Sequence, residues 1–184
     1  LAYGLSGGAA MAGMFAYIAG SPYVFIQLYG IPAEHYGWLF GSNAAGFIVM
    51  AQVNARLLRY RGPAFWLRRI IWGYLACGLA LLGIASLQPA TLWPLLVPLF
   101  GCVASLGCII PNASACAMAG QGQHAGSASA LMGSLQFSVA AGASALVGVL
   151  HDGTAIPMTL VIAVCGAVAT LLAWQTGRLE RQAA

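Results

Sequence analysis

All seven Lys and Arg residues of this 184-residue chain are arginine, and they fall in two short clusters, Arg56–Arg69 and Arg178–Arg181, with long apolar runs between. A chain that confines its charge to a few connectors and fills the intervals with apolar residues is built for lipid. Composition agrees, since 61% hydrophobic and 5% charged residues leave too little polar surface to coat a water-soluble domain of this length. The net charge of +4 would suit an anionic partner, but five of the arginines lie in one inter-helix loop with no aromatic-basic surface around them. Nucleic acid is therefore not expected as a partner, and the charge reports topology.

Six stretches reach the roughly 20 apolar residues that a helix needs to cross a hydrocarbon core. They run near Gly4–Leu28, Tyr36–Leu58, Trp66–Leu87, Leu92–Met118, Ala125–Leu150 and Ile156–Trp174. The connectors carry turn residues: Gly30-Ile31-Pro32, Arg61-Gly62-Pro63, Gln88-Pro89, Gly120-Gln121-Gly122 and His151-Asp152-Gly153. None is long enough to hold a soluble domain. The 2–3 loop (Arg56, Arg59, Arg61, Arg68, Arg69) and the tail (Arg178, Arg181) fall on one side, and Glu34 and Asp152 on the other. By the positive-inside bias both ends of the chain are expected in the cytoplasm, with Trp38, Trp66, Trp93 and Trp174 near helix ends where interfacial aromatics are favoured. The chain opens at Leu1 with no initiator Met and no signal peptide, directly at a membrane helix, which reads as a fragment.

Chemistry-bearing residues are sparse. The five cysteines (Cys77, Cys102, Cys108, Cys116, Cys165) lie in expected spans in an odd number without CxxC spacing, so neither a disulfide framework nor a metal site is expected. His35, His124 and His151 sit in loops without a second ligand at helical spacing. An intramembrane serine protease would need a Ser and a His at membrane depth within hydrogen-bond reach, and Ser42 and Ser134 have no such His. No enzyme and no cofactor are expected.

What distinguishes the spans is their small and amide residues. Span 1 places Gly4, Gly8, Ala12, Ala16 and Gly20 at every fourth position, and span 5 does so with Gly126, Ala130, Ser134, Ser138 and Gly142, both patterns that permit close helix contact. Amides occupy spans 1, 2, 4 and 5 (Gln27, Asn43, Gln52, Asn54, Asn112, Gln136) and are missing from the cores of spans 3 and 6. Because an unpaired amide is costly in lipid, spans 1, 2, 4 and 5 should enclose a cavity while 3 and 6 face lipid. The result is a 3+3 repeat, the organisation of an inverted-repeat transporter half.

The run Gly13-Met14-Phe15-Ala16-Tyr17-Ile18-Ala19-Gly20-Ser21-Pro22-Tyr23-Val24-Phe25-Ile26 resembles the seventh helix of the bicyclomycin-resistance (Bcr/CflA) branch of major facilitator multidrug exporters. Tyr36–Ala44 and Gln52–Leu58 look like its eighth helix, and His124–Phe137 like its eleventh. The resemblance covers nearly the whole chain, residues 1–184, as the C-terminal six-helix half of such a protein. It implies an all-α polytopic bundle in the bacterial inner membrane, a small-molecule substrate, and protons as coupling ion. It also implies a missing N-terminal six-helix half, or a second copy if the chain works as a half-size homodimer. The 2–3 loop resembles the degenerate second copy of the family's cytoplasmic gating motif, with Asn54, Arg56, Arg59 and Arg61 as its candidates and Asn54 where an acid is expected. The substrate-cavity candidates are Tyr17, Asn43, Asn112, Gln136 and Phe137.

Overall fold

The computed structural model describes residues 2–119, 122 and 125–183, the last seven of these by backbone alone. His124 and the side chains of Arg178, Glu180 and Arg181 lie outside the described residues. The described residues form six long helices: α1 (Ala2–Pro22), continued by a π-helical segment Tyr23–Leu28, α2 (Ala33–Leu57), α3 (Pro63–Ser86), α4 (Trp93–Met118), α5 (Ala125–Val149) and α6 (Ile156–Ala183).

Local chemistry sets the boundaries. Pro63 opens α3 at a position where the missing N–H is no loss. Gly30, Gly122 and Gly153 take positive φ in the connectors, as does Gln88 just before Pro89. Pro22 offers no N–H to the α1 ladder, and from Tyr23 the register widens, Tyr29 N–H reaching back to the Val24 carbonyl at 3.1 Å. Sequence alone gave one continuous first span. The sixth helix also runs past the expected end at Trp174.

Five helices, counting α1 with its π segment, are long and apolar enough to cross a bilayer. The exception is α2, which carries Glu34, Asn43, Gln52, Asn54 and Arg56 yet still extends about 37 Å at 1.5 Å per residue. Its packing places it in the same layer as the others. Gly46 lies against Phe100, Met50 against Cys108 and Asn54 against Asn112, so α2 runs beside α4 in the same direction.

The same relation holds between α1 and α5. Gly4 lies against Met132, Gly8 against Gln136, and Ser144 donates to the Phe15 carbonyl at 3.3 Å. Antiparallel to α1 runs α6, with Ser6 bonded to Ala169 and Gly20 against Met158. Antiparallel to α4 runs α3, with Cys102 bonded to the Tyr74 carbonyl. Exchanging α1 with α4, α2 with α5 and α3 with α6 therefore leaves the pairing pattern unchanged. With three crossings per unit, the second unit enters the layer inverted, as the 3+3 reading requires.

Two expectations need correction. First, α3 and α6 do not simply face lipid. One face of α3 (Leu67, Ile71, Tyr74, Gly78, Leu81, Ala85) is buried, and α6 buries Met158, Ile162, Ala169 and Ala173 in the angle between α1 and α3. Only their outer faces, Trp72 and Leu79 on α3 and Val164 and Leu171 on α6, are exposed. Second, the α1 stripe is a buried seam, but the α5 stripe is not: Gly126, Ala130, Ser134, Ser138 and Gly142 all point outward. The seam of α5 lies instead along Met132, Gln136, Ala140 and Val147.

Candidate substrate cavity and arginine-rich turn

Three polar constellations punctuate the apolar bundle. At one end of the layer, Tyr17 is 3% exposed and accepts a 3.1 Å bond from the Asn43 amide, which also donates to the Leu39 carbonyl. The Tyr17 ring stacks on Phe40 at 5.6 Å, and Phe25 and Tyr36 complete a box of four rings. Ser21 and Tyr36 share a 2.9 Å hydroxyl bond. The box thus ties the π-helical segment of α1 to the first turns of α2. Its signal in the sequence is a pair of four-residue spacings, Tyr17-Ser21-Phe25 and Tyr36-Phe40.

Toward the other end, Asn54 and Asn112 form a reciprocal amide pair, at 3.1 and 2.8 Å, both buried. Just before it, α4 comes closest to α2 at Gly107, whose Cα faces the backbone of Phe47 and Ala51. Pro111 has no N–H for the Gly107 carbonyl, so the α4 ladder is interrupted where the two helices touch. Asn54, the gating-motif candidate that is also one of the span 2 amides, lies near the end of α2 two residues before Arg56, with its side chain turned into the bundle.

Gln136 is the third. It packs its stem on Gly8 and donates to the Gly4 carbonyl at 3.3 Å. Among the described residues it is also the single polar side chain lining a groove of about 360 Å³ between α1, α5, α6 and the end of α4, floored by Gly8 and walled by Met132, Leu135, Val139 and Leu172. No residue of α2 or α3 lines this groove. Phe137 turns the other way: it is 58% exposed and meets the edge of Phe15 at 5.9 Å. The five candidates are therefore distributed: Tyr17 with Asn43, Asn112 with Asn54, and Gln136 and Phe137 on different faces of α5.

At the α2–α3 turn, Trp66 donates to the Leu57 carbonyl and closes the end of α2. Arg56, Arg59, Arg61 and Arg69 are exposed, and Arg68 alone turns inward to the Tyr3 hydroxyl at 2.9 Å. At the opposite end of the layer, Thr154 bonds Asp152 through its hydroxyl and backbone N–H, which holds the carboxyl below its ordinary range. Ser42 and Ser134 bond to the carbonyls of their own helices, at Leu39 and Ala130, rather than to a base.

No protein-family model matches the chain, and no solved structure matches it. Two curated proteins do. The chain is 28% identical over 171 residues to a bicyclomycin resistance protein homolog of Haemophilus influenzae, a stretch covering 93% of the chain and 43% of that protein. It is 29% identical over 171 residues to an uncharacterised MFS-type transporter, YdgK, of Bacillus subtilis, covering 93% of the chain and 42% of that protein. The chain spans less than half the length of these relatives. The resemblance to the bicyclomycin-resistance branch is borne out, and the fold is an all-helical, multi-pass membrane bundle with the organisation of one major facilitator half. Both relatives are named as resistance or transport proteins rather than enzymes.

Proposed function

We propose that this chain is the C-terminal six-helix half of a proton-coupled exporter of drugs or similar small molecules, set in a bacterial inner membrane with both of its ends cytoplasmic. The observation that carries the reading is the bare outward side of α5. Phe137 is exposed there beside the small-residue stripe Gly126, Ala130, Ser134, Ser138 and Gly142. Small residues at regular spacing are what lets another helix approach closely, and α5 buries less of itself within this chain than any other apolar helix. The second six-helix half is proposed to cover that face, with the substrate held between the halves. Of the five candidates Phe137, the exposed one, is proposed to meet substrate, whereas Tyr17 with Asn43, Asn112 and Gln136 are proposed to hold helices together. Asn54 keeps α2 on α4 behind the cytoplasmic turn, and Arg56, Arg59 and Arg61 form that turn's surface.

The test is efflux. In cells lacking their own exporters, the chain co-expressed with the N-terminal half of its parent should restore proton-driven drug export, while the chain alone should not. The same bare face favours one second reading, a half-size transporter working as a homodimer. Export by the chain alone would establish that reading in place of the first.

A further inference from the structure

The ring of Phe65 carries two guanidinium groups, Arg61 at 5.4 Å and Arg69 at 4.8 Å from its centroid. Each is attracted to the ring, but the two repel each other, and both side chains are exposed, with no ion pair among the described residues. Of the described acidic residues, Glu34 begins α2 and Asp152 sits in the α5–α6 connection, both at the opposite end of the layer. Like charges gathered on one platform, with no acid beside them among the described residues, form a receptor for an external anion. The ring stands in the first turn of α3, whose N-cap, Gly62, provides no side-chain bond to the helix's first N–H groups. The partial positive charge of that helix end adds to the two guanidiniums.

The surroundings identify the anion. Tyr60, Phe65 and Trp66 flank the arginines where the helices leave the apolar layer, the depth at which aromatic residues meet lipid headgroups. An anion at that depth is a phosphodiester carried by the membrane itself. We propose that Arg61, Phe65 and Arg69 form a binding site for the headgroup phosphate of an anionic phospholipid, pinning the α2–α3 turn to the membrane surface. The proposal rests on the membrane reading of the chain and not on transport.

The test uses the purified chain in detergent, titrated with phosphatidylglycerol, phosphatidylcholine or inorganic phosphate, with melting temperature and direct lipid binding by native mass spectrometry as readouts. Phosphatidylglycerol should bind saturably and raise the melting temperature, and the other two should not. Arg61→Gln with Arg69→Gln should weaken binding about 30-fold, since each basic residue near an anionic surface is worth roughly fivefold. Phe65→Leu should weaken it with no change in charge. Arg56→Gln with Arg59→Gln, the same change in charge away from the ring, should weaken it far less. If the first pair does not yield monodisperse protein, Arg69→Gln alone decides, with roughly fivefold weakening expected. Equal binding of phosphatidylcholine, equal loss in the two arginine pairs, or binding of free phosphate at the same concentration would each overturn the proposal. Failure of the chain to insert into bilayers at all would instead overturn the membrane reading on which it rests.

Discussion

Asn54 and Asn112 satisfy each other twice, and that reciprocity decides what a substitution costs. Removing one amide strands the other in a buried, apolar setting; removing both leaves nothing unsatisfied. Asn54→Leu or Asn112→Leu should each lower stability by up to about 1.7 kcal/mol, the upper end measured for interhelical hydrogen bonds in membranes. The double variant should lose less than the two singles together, a coupling that thermal unfolding in detergent can measure as a double-mutant cycle. Gln136 and Phe137, adjacent on α5, should behave oppositely. Gln136→Ala should cost about 0.6 kcal/mol of stability and leave the drug profile of the parent transporter unchanged in rank, because its amide is spent on α1. Phe137→Ala should shift selectivity between drugs by about tenfold, roughly 1.4 kcal/mol, with little change in melting temperature, because its ring is exposed on the face proposed to meet the other half. An unaltered resistance profile for Phe137→Ala would remove it from the site.

At the scale of elements, the seams are set by which glycines face backbone. A Cβ at Gly107 would fall on the Phe47 carbonyl and 2.9 Å from the Ala51 nitrogen, atoms that cannot rotate away. Gly107→Ala should therefore push α4 from α2 and cost about 1–3 kcal/mol, as overpacking does. Gly41, on the open side of α2, meets nothing within 4 Å, and Gly41→Ala should hold or raise the melting temperature through helix propensity alone. Equal melting temperatures for the two variants would refute the close approach. Helix positions and the α1 seam were legible in the sequence, because apolar length and four-residue spacing are local properties. The partner of the α5 stripe was not legible, because spacing shows that a face is small but not what it meets. The π-helical segment announces itself only by Pro22, and the Asn54–Asn112 pair joins two distant helices that no local pattern links. Tyr17 and Asn43 were picked out singly, but their pairing depends on how α1 and α2 cross.

For the whole molecule, the arginine clusters and the helix count predict one orientation. With the native cysteines replaced, single cysteines at positions 34 and 152 should react with an impermeant reagent in intact cells, and those at 61 and 178 only after permeabilisation. The reverse pattern would overturn either the orientation or the passage of α2 through the layer. The way α1 is packed also has a consequence for biosynthesis. Its main partners are α5 and α6, made only after α2, α3 and α4, so at 5–20 residues per second the glycine face waits roughly 5–20 s between the exit of α1 and the arrival of α5. A nascent chain stopped before α5 keeps Gly8 and Gly20 bare in the membrane, open to any helix with a small enough surface. The row of residues that closes the finished bundle is, during synthesis, its most promiscuous surface.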